Sequence, residues 1–199
     1  MTASRLPTGF PPARAKRIPV PEFCGFSRIL VHSRVERDEF ITATEIAFER
    51  LMTPTKGLRP EVMELPMEPG KWSFKGMAAH FTGWNTLVLK RLEAIHHDRE
   101  FEWYGETEFD RLNGEATGRA EAMPLKRVMT ELRITHSALM EAVKRVNWAK
   151  LGHEDETPEW LIEAVTEHYH HHRPQVEAWV ARLSAAGQGP LPALPVREE

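Results

Sequence analysis

Four of the ten histidines of this chain fall within residues 166–175, TEHYHHHRPQ. Projected as a helix at about 100° per residue, residues 158–183 place Leu161, Val165, His168, His172, Trp179 and Leu183 in one stripe about 60° wide. Two imidazoles thus stand where a core would take leucines. His171 falls about 100° from the centre of that stripe and His170 roughly opposite it. Side chains at i and i+4 are neighbours on a helix, so His168 and His172 can point ring nitrogens at one ion about 2.0–2.1 Å from each. Left unpaired in a core, each would carry a desolvation cost of about 1–3 kcal/mol. A metal satisfies both at once; buried hydrogen bonds to carboxylates or tyrosines are the other way.

Residues 71–84, KWSFKGMAAHFTGW, supply a third candidate ligand. His80 projects about 80° from the centre of its helix's apolar face, beside Met77, Trp84 and Leu87, and so looks into a crevice between helices. Three protein nitrogens leave a coordination position open, the arrangement of catalytic rather than structural sites. The competing reading makes His80 an ordinary boundary histidine. A di-iron carboxylate site is also spelled by Glu93-x-x-His96 and Glu167-x-x-His170. Yet His170 faces away from the stripe, and Glu93 with His96 closes the far end of its helix. His136 lies near the stripe of its own helix and reads as an edge residue or as a further polar group in the cavity. Tyr169, about 60° from the centre of the last helix's apolar face, is a candidate proton donor or a boundary tyrosine with a hydrated hydroxyl. Trp84 reads as core, whereas Trp103 and Tyr104 are placed to shape a pocket mouth.

Four long amphipathic helices are expected to carry these residues. The first runs from about Ser33 to Met52, with Phe40, Ala43, Ala47 and Leu51 on its buried face and Pro54 ending it. The second is N-capped by Ser73 and repeats Phe74, Met77, Phe81, Trp84, Val88, Leu92 and Ile95 at three and four residues. A mixed segment, residues 97–121, follows and holds one short helix around 108–115. The third helix opens at Pro124 and buries Leu125, Val128, Leu132, Leu139, Val143 and Val146; the fourth opens at Thr157 and Pro158. Alternating β-branched runs are absent, so the fold class is all-α, a four-helix bundle over residues 33–184. Residues 1–30, basic and rich in proline, and residues 185–199 are expected to be flexible tails.

Composition narrows the function. A net charge of −3 and a pI near 6.4 leave no basic face for nucleic acid. One cysteine, Cys24, excludes a disulfide framework or a multi-cysteine zinc site and fits a cytoplasmic setting. No apolar run reaches the ~18 residues of a membrane span.

At His80, His168 and His172 the sequence resembles the DinB-like (DinB/YfiT) superfamily, bundles with a histidine on the second helix and a His-x-x-x-His pair on the fourth. His171-His172-Arg173 looks like the superfamily's His-His-Arg-Gly-Gln signature, except that Pro174 replaces the glycine and is expected to kink the helix. Residues 71–73 (KWS), the spacing of His80 and Trp84, residues 109–113 (FDRLN) and the pair His168 and His172 look closer still to the ClbS/DfsB family. The resemblance implies a divalent metal on the three histidines, its identity open among Zn, Ni, Fe and Cu. It further implies either a hydrolase or a transferase using a low-molecular-weight thiol, acting on a small molecule. The ClbS-like branch implies instead self-resistance against a genotoxic metabolite, by metal-free hydrolysis with Tyr169 and the histidines as acid and base, or by sequestration. A homodimer is implied as well, although the sequence shows no dedicated interface.

Overall fold

The computed structural model describes residues 36–101, 106–151 and 157–190. Cys24, Trp103, Tyr104, the whole expected N-terminal tail and residues 191–199 of the expected C-terminal one lie outside them. Among the described residues the fold is all-α, with one isolated bridge between Pro66 and Ser73 and no strand. The long elements are α1 (Arg37–Met52), α3 (Phe74–His96), α4 (Glu106–Glu121), α5 (Leu125–Arg145) and α7 (His168–Ala185), with α2 (Pro60–Met63) and α6 (Glu159–Leu161) as short turns. No helix among them is long and apolar enough to cross a membrane.

Helix α3 is the central element, packed along α5 on one side and α4 on another, while α1 lies along α7. Its expected apolar repeat is the one observed: Phe74, Met77, Phe81, Val88 and Leu92 are each almost fully buried. Ser73 caps it by accepting from the Gly76 amide at 3.0 Å. That cap fixes where the helix carrying His80 begins. Ser73→Ala is expected to cost about 1 kcal/mol, lowering Tm by about 2–4 °C; thermal unfolding followed by circular dichroism reads it.

One expectation is corrected here. The mixed segment holds not a short helix around 108–115 but the 16-residue α4, which lies antiparallel to α3 with Lys75 Nζ reaching the Glu121 carbonyl at 3.4 Å. A fifth long helix therefore covers the site. Helix α7 runs through Pro174 to Ala185, and the fourth helix also contains an irregular turn type. The irregularity lies upstream, where Ile162–Glu167 form a π-helical stretch between α6 and α7. Its wider turn rotates Leu161 and Val165 out of phase with α7. The phase shift brings Tyr169, 1% exposed, fully into the core beside His168 and leaves His172 half-buried.

Candidate metal centre

His80 and His168 are both buried, and their Nε2 atoms face each other across 2.8 Å. His172, one turn along α7, completes a group whose ligand atoms all lie within 4.8 Å of one another. Among the described residues this is the one cluster of three or more histidine, cysteine or acidic side chains placed for a metal. Nitrogens bound at about 2.0–2.1 Å to a tetrahedral ion stand about 3.3 Å apart, inside the observed range.

Each ring is held from outside. His80 Nδ1 lies 2.9 Å from Asn113 Oδ1, which also accepts from Trp84 Nε1 at 3.1 Å. His168 hydrogen-bonds to the backbone of Ala164, one turn back in the π-helical stretch. His172 Nδ1 meets Gln175 Oε1 at 3.3 Å. Phe81 touches His168 and His172 with centroids at 5.0 and 5.2 Å, and Trp72, 37% exposed, leans over His80 at 4.9 Å.

Burial sets the electrostatics. Desolvation, with the neighbouring His172, pushes His80 down to about 3; desolvation and the other imidazoles hold His168 well below the usual histidine range; desolvation pushes His172 down to about 4. All three rings are neutral at neutral pH, the state that binds metal. A cavity of about 320 Å³ opens between α3 and α4, walled by Trp84, Leu87, Leu112, Asn113 and Ala116, and it meets the cluster at His80.

Tyr169 follows His168 in sequence, but its hydroxyl donates to Asn85 Oδ1 at 2.9 Å and lies 3.2 Å from His136 Nδ1. It does not line the α3–α4 cavity. Burial raises its pKa. His136, read from sequence as an edge residue or a cavity group, is neither. It is buried in the core, stacked on Phe48 at 3.8 Å, with Nε2 at 3.2 Å from the half-exposed Glu45. The di-iron alternative finds no cluster, since His96 and His170 join no such group among the described residues. Trp84 is core as expected and also a hydrogen-bond donor to the site. Asn113, the last residue of the 109–113 motif, has no site role legible in sequence, because its contacts to His80 and Trp84 are made only where α4 docks on α3.

No curated protein matches the chain. A crystal structure of an uncharacterised protein from Escherichia coli UTI89 is similar with a TM-score of 0.62 at 14% identity, over 75% of this chain and 95% of that one. That likeness concerns the fold alone. The profile of the DinB superfamily matches residues 41–176, a span that includes His80, His168 and His172, and the chain belongs to that superfamily.

Proposed function

We propose that the protein is a divalent-metal-dependent enzyme acting on a small molecule, a hydrolase or a thiol-dependent S-transferase, with the metal on His80, His168 and His172. The observation that carries this reading is the 2.8 Å approach of two buried Nε2 atoms. A neutral imidazole has a single N–H. His80 has the Asn113 oxygen to give its proton to, and His168 has the Ala164 backbone. Serving those acceptors leaves two lone pairs aimed at each other, an arrangement that a cation between them relieves.

The ion supplies Lewis acidity toward a water or a thiol. The chain's own residues do the rest. Asn113, Ala164 and Gln175 orient the rings, and Phe81 and Trp72 shield them from water. The α3–α4 cavity receives the small molecule, its volume being in the range of ligand sites. Under this reading Tyr169 steadies α7 through its bond to Asn85.

The polar Asn113 beside His80 supports a second reading, a ClbS-like detoxification protein that hydrolyses or sequesters its ligand without metal. Elemental analysis of tag-free protein separates the two. About one equivalent of metal per chain, lost in His172→Ala with helicity kept, is the expected result. Metal content that is nil in the wild type, or unchanged in the variant, would sink the three-histidine assignment. Ligand recovered intact from a tight stoichiometric complex would then favour sequestration.

A further inference from the structure

We propose that Asn113, held by Trp84, is a positioning residue that locks His80 into the tautomer with its proton on Nδ1. An indole N–H only donates, so the Asn113 atom 3.1 Å from Trp84 Nε1 must be the amide oxygen. Trp84 thereby settles which way the amide points. The same oxygen lies 2.9 Å from His80 Nδ1, and because an amide oxygen only accepts, Nδ1 must carry hydrogen. Nε2 is left as a lone pair, aimed at His168.

The geometry follows from two helices. Trp84 stands four residues after His80 on α3, so the two side chains share a face. Asn113 comes from α4, and the docking of α4 on α3 delivers its oxygen between them. Losing such an outer partner typically lowers metal affinity 10–100-fold, because the ring must give up the wrong proton before it can bind. Asn113 is only half-buried, so it can be replaced without opening the core.

The affinity part of this inference rests on the metal-centre reading; the tautomer part does not. The test is ¹⁵N NMR of histidine-labelled, metal-free full-length protein near neutral pH, followed by Zn²⁺ titration against a competing chelator. Wild type is expected to show His80 protonated at Nδ1. Asn113→Leu should shift the population toward Nε2–H and weaken Zn²⁺ 10–100-fold. Asn113→Asp should restore the Nδ1–H tautomer and bind Zn²⁺ at least as tightly as wild type. A wild-type His80 protonated at Nε2, or an Asn113→Leu chain with wild-type tautomer, would overturn the proposal. If wild type shows the Nδ1–H tautomer yet takes up no Zn²⁺, the positioning role stands and the metal-centre reading is what fails.

Discussion

His168→Leu is expected to give a metal-free protein that is more stable than the metal-free wild type and unable to hold a metal. The imidazole of His168 is 8% exposed, packed against Phe81 and Trp84 at centroid distances of 5.0 and 5.6 Å, and faces the lone pair of His80. Leucine has a similar volume and keeps the apolar contacts while removing a polar group whose desolvation is only partly repaid. The gain should be about 2 kcal/mol, or about 4–8 °C in Tm. His80 keeps its bond to Asn113, so no new orphan donor appears. Metal affinity should fall by two orders of magnitude or more, because two imidazoles on two helices remain where three converged. Thermal unfolding with and without a saturating divalent ion checks both halves. Wild type should gain about 2.7 kcal/mol at an ion concentration a hundredfold above Kd, and the leucine variant nothing. A leucine variant less stable than metal-free wild type would mean that His168 is a satisfied structural residue and that the cluster owes its geometry to packing. Stability given up at a functional site is the usual pattern in enzymes.

The three histidines were legible in the sequence because their cue is local. His168 and His172 stand four apart within an apolar stripe, and His80 flanks another. What the sequence hid depends on tertiary contact. Helix α4 carries Gly114 and Gly118, which lower helix propensity, and its buried apolar residues are sparse, Phe109 and Ala120 among them. Periodicity was therefore too weak to show its length, and the role of Asn113 lies in its contacts across to α3, with His80 and Trp84. His136 looked marginal on its own helix; its burial is made by Phe48 from α1 and Tyr169 from α7. A wheel drawn at a constant 100° per residue could not foresee the π-helical stretch, which has neither glycine nor proline to announce it. The Thr44 and Thr166 hydroxyls, buried and 2.6 Å apart, tie that stretch to α1, another bond that no single helix displays.

Acid should lower the stability of the metal-free protein while leaving its affinity for metal almost unchanged. Unfolded histidines protonate near pH 6.5, whereas His80 and His172 in the fold hold out to about 3 and about 4, and His168 well below its usual value. Between those limits the unfolded chain binds more protons than the native one, so stability falls as pH falls. Each fully buried histidine contributes a slope of about 1.4 kcal/mol per pH unit, so His80 and His168 together give about 3. His136, also lowered by burial, adds in the same direction. For a domain at the low end of ordinary stability, about 5 kcal/mol, metal-free protein at pH 5.5 is still folded but markedly easier to unfold by urea, and it is lost at roughly pH 4–5. The folded cluster, by contrast, is already neutral at pH 5.5. Metal need displace no proton there, so Zn²⁺ affinity measured by chelator competition should be nearly flat from pH 8 to about 5.5. Exposed histidines of ordinary pKa would each lose up to about tenfold per unit below 6.5. Urea midpoints that do not move between pH 7.5 and 5.5 would place the imidazoles in contact with water. Affinity falling steeply over the same interval would say that they take up protons in the fold, and with that the lone-pair encounter of His80 and His168 would lose its force as the reason for a metal.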